Sequence, residues 1–259
     1  MSAQVRTEVE GVVATVLLDG PESHNVLSGS GWLEMARVFE QLSQDDALQC
    51  VVVRGVGGRA FSAGSDISYF EEQRDTRADA REYSKAIAHA LEAIRECRHP
   101  TVAIIEGLCV GGGLEISSCC DVRVCGTSAR FGAPINRLGL TMAHTELEPL
   151  LTLLGPAPVL DLLLTGDLIG AERAREVGLV SRVFADEEVL EQGYALVGRI
   201  TSGAPLVNRW HKLFVRQLVT GEVLTRRDRD VALEAFQTRD YREGRDAFLA
   251  KRTPDFTGE

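Results

Sequence analysis

The sequence has little that would point to a membrane or a nucleic acid as its partner. No apolar run reaches transmembrane length, and the first six residues contain no apolar stretch of the signal-peptide type, so a cytoplasmic location is expected. Basic residues are scarce, with 28 Lys and Arg against 38 Asp and Glu and a formal net charge of −10. This balance disfavours broad binding to nucleic acids or anionic membranes, although a local basic pocket could still hold an anionic ligand.

The sequence also lacks the cysteine spacing of a metal site or a disulfide framework. Its six cysteines include no Cys-x-x-Cys pair, and most lie in apolar surroundings. Buried free thiols in a reducing compartment are therefore expected, and no metal is expected. The six are Cys50, Cys97, Cys109, Cys119, Cys120 and Cys125.

β-favouring segments alternate with helical periodicities, which predicts an α/β fold. Two strands are predicted around a turn at Glu10 and Gly11, and residues 49–54 form the continuous apolar run typical of a buried parallel strand. Helices are predicted from about Ser30 and over residues 80–97, and from about Glu146 the chain becomes mostly helical. The length of 259 residues fits one large domain, or one domain with a smaller appendage.

Three consecutive glycines separate an apolar strand at residues 101–105 from a short apolar helix. Gly111, Gly112 and Gly113 are followed by Glu115 within the first helical turn. A glycine turn into a helix start presents backbone N–H groups that can stabilise developing negative charge. A carboxyl group beside them can transfer protons. This stretch is our candidate active site.

Several motifs in order resemble the crotonase (enoyl-CoA hydratase/isomerase) superfamily along almost the whole chain. They are residues 21–27 (PESHNVL), 61–67 (FSAGSDI), 106–121 with the glycine stretch, 131–134, 138–139, 164–166, 174–180, 243–248, 251–252 and Phe256. The resemblance implies a spiral of ββα units over residues 1–195 and a helical C-terminal trimerisation region over residues 196–259. It also implies a homotrimer or a dimer of trimers. The implied ligand is an acyl-CoA thioester, with coenzyme A as part of the substrate and no permanently bound cofactor.

The resemblance also assigns residues to the site. The backbone N–H groups of Ser65 and Gly112 would form an oxyanion hole for the thioester carbonyl, and Glu115 would be the principal acid/base. Asp66 is also placed to cap a short helix. The residues that the resemblance implies for binding the CoA thioester are His24, Ala63, Ser65, Asp66, Ile67, Gly112, Phe248 and Lys251, with Lys251 able to come from a neighbouring subunit.

The sequence departs from the family pattern at two places. Hydratases of the family use two glutamates, and the second would fall at Ile135, which cannot transfer a proton. His144, Glu146 and Glu148 lie nearby as candidate replacements, although each also fits a loop or first-turn helix position. The second departure is Glu22 and Ser23, where a basic residue often helps to bind the CoA phosphates.

Three hypotheses about function remain open at this point. The first is a catalyst of the enoyl-CoA hydratase/isomerase type with Glu115 as principal acid/base. The second is other crotonase chemistry, such as C–C bond hydrolysis or decarboxylation, that uses His144. The third is an acyl-CoA binder without catalysis, because Ile135 replaces the second glutamate.

Overall fold

Strands and helices alternate through most of the chain in the computed structural model, which describes residues 2–67 and 75–259. The strands are β1 (Gln4–Glu10), β2 (Val13–Asp19), β3 (Cys50–Gly55), β4 (Ala60–Ser62), β5 (Thr101–Ile105), β6 (Leu108–Val110), β7 (Val122–Gly126), β8 (Arg130–Gly132), β9 (Ile169–Gly170) and β10 (Arg182–Phe184). The α-helices are α1 (Gly29–Gln44), α2 (Arg77–Glu96), α3 (Gly112–Cys119), α4 (His144–Leu154), α5 (Pro156–Thr165), α6 (Ala171–Glu176), α7 (Val189–Thr201), α8 (Pro205–Thr220), α9 (Arg226–Glu234) and α10 (Arg239–Ala250). Short 3₁₀ helices cover Pro21–Ser23, Pro134–Leu138 and Ala235–Gln237.

Two sheets are built from strands that the chain supplies in turn. The larger sheet has the order β1-β2-β3-β5-β7-β10, and the smaller has the order β4-β6-β8-β9. The successive pairs β3/β4, β5/β6 and β7/β8 each give one strand to each sheet, and neighbouring strands contributed in this way are parallel. This repeated step is a spiral of strand pairs and helices, so the predicted α/β architecture is confirmed.

The core lies between the larger sheet and the helices that cover it. Side chains of β3 and β5 are buried almost throughout, as the continuous apolar runs predicted. The apolar face of α1, which includes Trp32, Met35 and Phe39, is fully buried within the main core cluster. All six cysteines are buried and free, as expected. Their burial fixes the position of each neighbouring backbone segment, including the helix that follows the glycine stretch.

The C-terminal helices pack on the core partly through ion pairs. Lys212 of α8 lies 2.8 Å from the carboxylate of Asp121, and Arg216 lies 2.7 Å from that of Glu96. Helix α7 spans the expected boundary at residue 195 and packs against the face of the larger sheet opposite α1. The division at that residue therefore stays a prediction. The short helix expected after Asp66 lies outside the described residues.

Candidate active site

The glycine stretch forms a tight turn between β6 and α3. Gly111 has a φ of +54° and precedes the first helical residue, Gly112. A Cβ atom at Gly113 would clash with the carbonyl oxygen of Ser62, so only glycine lets α3 approach β4 this closely. The first N–H groups of a helix have no acceptor within the helix, and here the turn directs them to one side of α3.

The segment around Gly64 brings Ser65 beside this helix start. Gly64 has a φ of +93°, and a Cβ atom there would lie 2.6 Å from the Gly112 nitrogen. Leu27 holds the segment on both sides, because its N–H donates to the Gly64 carbonyl at 2.7 Å and its carbonyl accepts from the Asp66 N–H at 2.9 Å. Ser65 and Gly112, which are 47 positions apart in the sequence, therefore line the same cavity.

The cavity has a volume of about 460 Å³, and its described lining includes two chemically different groups of residues. One group, which we call the glycine end, consists of Ala63, Ser65, Gly111, Gly112 and Glu115. The other, which we call the acyl end, is formed by residues of the segment 134–146, most of them apolar. Its members that line the cavity are Pro134, Ile135, Leu138, Gly139, Leu140, Thr141, Ala143 and Glu146.

Among the described residues, two carboxyl groups line this cavity, one from each group. Glu115 lies in the first turn of α3 and is 7 % exposed, and Glu146 lies in the first turn of α4 and is 8 % exposed. Oε2 of Glu146 accepts the Ala143 N–H at 2.8 Å, so this side chain also caps its own helix. Ile135 lines the cavity too and is half-buried. Glu146 and Ile135, where the second glutamate of the family was expected, therefore line the same cavity.

His144 and Glu148 take different positions from Glu146. His144 is exposed at the first residue of α4, and it is not among the described residues that line the cavity. Glu148 is exposed as well and accepts a hydrogen bond from Arg95 at 3.0 Å on the outer surface. Of the three candidate replacements, Glu146 is the one that lines the same cavity as Glu115.

The residues expected to bind the CoA thioester fall into two groups. Ala63, Ser65, Ile67 and Gly112 line the cavity, and the His24 carbonyl accepts the N–H of Ala63 at 2.9 Å. Asp66 lies next to them and accepts a hydrogen bond from the Ser2 hydroxyl at 3.1 Å.

Phe248 and Lys251 form the second group and lie at the end of α10. Phe248 is 83 % exposed, and Lys251 is exposed with a left-handed φ of +53°. Neither is among the described residues around the cavity of the same chain.

One residue beneath the site was not singled out from the sequence. Trp32 of α1 is fully buried, and its Nε1–H donates to the Ser65 hydroxyl oxygen at 3.3 Å. Its helical periodicity predicted a core residue, and no local pattern signals the contact, because Trp32 and Ser65 are 33 positions apart.

Cys119, the last residue of α3, lies in the same helix as Glu115. Burial raises the pKa of the Cys119 thiol, and the charges of Cys120 and Glu115 add to this effect. A raised pKa disfavours the reactive thiolate, and Cys119 is not among the described residues that line the cavity. Within residues 2–67 and 75–259, no cluster of three or more His, Cys, Asp or Glu side chains is arranged to hold a metal ion. No helix in these two ranges has both the length and the apolar character needed to cross a membrane.

Comparison with known proteins decides the family. A family model described as enoyl-CoA hydratase/isomerase matches residues 8–259. The chain belongs to this family. A solved structure of an enoyl-CoA hydratase/carnithine racemase from Magnetospirillum magneticum is 39 % identical, has a TM-score of 0.96, and is matched over 98 % of our chain and 96 % of its own.

Curated relatives of this enoyl-CoA hydratase/isomerase family member support the same family assignment. Crotonyl-CoA hydratase from Syntrophomonas wolfei is 31 % identical over 255 residues, which is 96 % of each chain. The 2,3-dehydroadipyl-CoA hydratase of Escherichia coli is 30 % identical over 248 residues, 95 % of each chain. The resemblance seen in the sequence is confirmed, and so is the assignment as an enzyme of this family.

Proposed function

We propose that this enzyme hydrates an enoyl-CoA thioester, with Glu115 as the principal acid/base and Glu146 as the second carboxyl group. One observation carries the proposal: a single cavity is lined by the start of α3 and by two buried carboxyl groups. The curated relatives described above bear hydratase names, which supports the same reaction class.

The glycine end suits the thioester carbonyl. Addition to the double bond of an enoyl thioester pushes electrons onto the carbonyl oxygen and forms an enolate. Two fixed N–H donors directed at that oxygen lower the barrier, and losing one such donor typically costs about 3 kcal/mol. The backbone N–H groups of Ser65 and Gly112 fit this role because both residues line the cavity. The N-terminal end of α3 adds a favourable dipole.

The two carboxyl groups divide the proton transfers between them. One takes a proton from water as the water oxygen bonds to Cβ, and the other delivers a proton to Cα, so the product gains one water and no charge. Glu115 and Glu146 supply both functions although position 135 is isoleucine. The same pair can also move a double bond, by taking a proton from one carbon and returning it to another.

The acyl end favours an apolar acyl group. Ile135, Leu138 and Leu140 line it, and Ile87 and Val110 contribute further apolar surface. Each methylene that such a wall removes from water contributes about 0.8 kcal/mol to binding. An acyl chain without charge at its far end is therefore the expected substrate.

The decisive experiment measures turnover of unsaturated acyl-CoA thioesters of several chain lengths, with hydration and double-bond shift followed separately. We expect Glu115→Gln and Glu146→Gln each to lower kcat by about 10²-fold or more, because each removes one proton carrier. Glu148→Gln is the matched control. Glu148 lies two positions from Glu146 but is exposed and ion-paired with Arg95, so its substitution should leave kcat unchanged.

A second candidate function is acyl-CoA binding without catalysis, and the presence of Ile135 in the cavity favours it. Tight binding of enoyl-CoA with no turnover in any chain length would establish this alternative and exclude hydration. Turnover that survives Glu146→Gln unchanged would remove Glu146 from the reaction and leave Glu115 alone. The hypothesis of C–C hydrolysis or decarboxylation through His144 gains no support from that residue's exposed position.

The homotrimer or dimer of trimers stays part of the proposal. Helices α8 to α10 expose large apolar side chains, including Leu218, Phe236, Phe248 and Leu249, each more than half exposed. Such surface supports burial against another subunit, which would also bring Phe248 and Lys251 to a neighbouring CoA site. Light scattering coupled to size-exclusion chromatography tests the assembly. The six buried free thiols support the cytoplasmic location.

A further inference from the structure

We infer that Trp32 is a positioning residue that sets the distance between the two oxyanion donors. Its indole contacts both of the segments that carry them. The inference rests on the proposed role of Ser65 and Gly112, and it adds a specific side chain that holds the backbone of both in place.

The first contact is a hydrogen bond to Ser65. An indole N–H can only donate, so the Ser65 hydroxyl oxygen is the acceptor, at 3.3 Å. Trp32 is fully buried while Ser65 is half-buried at the cavity wall, so the bond connects the core to the site. The bond restricts the Ser65 side chain, and with it the orientation of the backbone N–H on the same residue.

The second contact is packing against Gly112. A Cβ atom at Gly112 would lie 2.7 Å from Cζ2 and 3.0 Å from Cη2 of the indole, so the ring lies directly against the Gly112 Cα. The same Cβ atom would lie 3.1 Å from the Gly64 Cα. The indole therefore fills the space under the junction of the two segments, and a smaller side chain would let them move together or apart.

Trp32 is itself held firmly. It lies in the first turn of α1, where its backbone N–H donates to the Ser28 carbonyl at 3.0 Å. The Ser28 side chain caps the helix by accepting the Gly31 N–H. Leu27, just before α1, pairs with the segment around Gly64, so backbone hydrogen bonds join the start of α1 to the Ser65 loop. This arrangement lets one side chain determine the geometry of a site made from main-chain atoms.

The test combines kinetics with the infrared carbonyl stretch of a bound thioester whose carbonyl carbon is ¹³C. In the parent enzyme, two donors should shift this band to lower frequency, because they polarise the C=O bond. Trp32→Phe removes the N–H and part of the ring. We expect it to reduce the shift and to lower kcat by about tenfold with KM nearly unchanged, because the loss falls on the transition state.

Ser65→Ala is the second variant, and it keeps both the fold and the backbone donor. It should reproduce part of the kcat loss, and the double variant should be no slower than Trp32→Phe alone, because both changes remove the same bond. Trp210→Phe is the matched control. Trp210 lies in α8, outside the described cavity lining, so its replacement should alter neither kcat nor the band.

The outcomes separate this inference from the proposed function. No carbonyl shift in the parent enzyme would reject the oxyanion assignment of Ser65 and Gly112. A shift in the parent that persists unchanged in Trp32→Phe and in Ser65→Ala, with kcat within twofold of the parent, would overturn the role of Trp32. If Trp32→Phe does not fold, Ser65→Ala alone decides, by the same two readouts.

Discussion

The two ends of the cavity differ in what they are made of. At the glycine end the proposed functional groups are main-chain N–H groups, and their positions depend on close backbone contacts of Gly64 with Gly112 and of Gly113 with Ser62. At the acyl end the functional groups are the side chains of residues 134–146, on a 3₁₀ helix and the start of α4. The first arrangement can change only if the fold moves, whereas the second can change by single substitutions. In the proposed mechanism, activation of the carbonyl and the choice of reaction would therefore depend on separate parts of one site.

The substitution with the largest expected effect is at the glycine end, and the effect is a loss of stability. Gly113→Ala should cost about 3 kcal/mol or more of stability, because the new methyl group meets the buried Ser62 carbonyl and neither segment can retreat. Chemical unfolding and the yield of soluble protein measure the effect. Wild-type stability in this variant would show that the glycine end is more adaptable than its contacts indicate.

The substitution with the next largest expected effect tests whether side chains at the acyl end determine the reaction. Ile135→Glu places a carboxyl group where the family's second glutamate would fall, on a half-buried residue of the cavity. We expect hydration to rise about tenfold, because a carboxyl group at position 135 would share the proton transfer with Glu146, whose Oε2 also accepts the Ala143 N–H as a helix cap. The enoyl-thioester absorbance follows the reaction. Ile135→Gln has a similar shape but no acid function, so equal rates in the two variants would contradict the expectation.

Gly139, at the acyl end, is the glycine whose substitution we compare with that of Gly113. Gly139 has a φ of +70°, and a Cβ atom there would meet nothing within 4 Å. Gly139→Ala should therefore cost only the left-handed backbone penalty of about 1 kcal/mol. Chemical unfolding under the conditions used for Gly113→Ala gives the comparison. A larger loss than at Gly113 would reverse the proposed difference between the two ends.

The smallest effect concerns His144. Its side chain is exposed on the outside of α4, so His144→Ala should change kcat and KM by less than about twofold, as is usual for surface positions. Steady-state kinetics with the best enoyl-CoA substrate measure it. A tenfold loss of activity would revive the hypothesis that His144 takes part in the chemistry.

Much of the fold could be predicted from the sequence, because local sequence patterns and tertiary packing favour the same strands and helices. The apolar run at residues 49–54 became the buried strand β3, and the strand expected at residues 101–105 is β5 (Thr101–Ile105). The glycine turn before Glu115 was predictable for the same reason, since three glycines between a strand and a helix have few other uses.

The arrangement at the acyl end was harder to predict. Glu146 and Glu148 are two positions apart on α4, which is a rotation of about 200° around a helix, so they face opposite sides. Which of them faces the cavity depends on where the helix begins and how it packs, and sequence patterns locate helix ends only to within a few residues. The hydrogen bond from Trp32 to Ser65 could not be predicted for a different reason. It depends on tertiary packing between segments that are distant in the sequence.

The proposed carbonyl donors are main-chain atoms, and this has a consequence for how the protein can evolve. No codon change can delete the N–H of Ser65 or Gly112 except one that introduces proline, and the crowded glycines around them tolerate almost no side chain. A backbone change that displaces these donors would therefore also disturb the packing of the fold, and selection for a folded protein alone would remove it. New activities can then arise by drift at the acyl end, while carbonyl activation is inherited together with the fold.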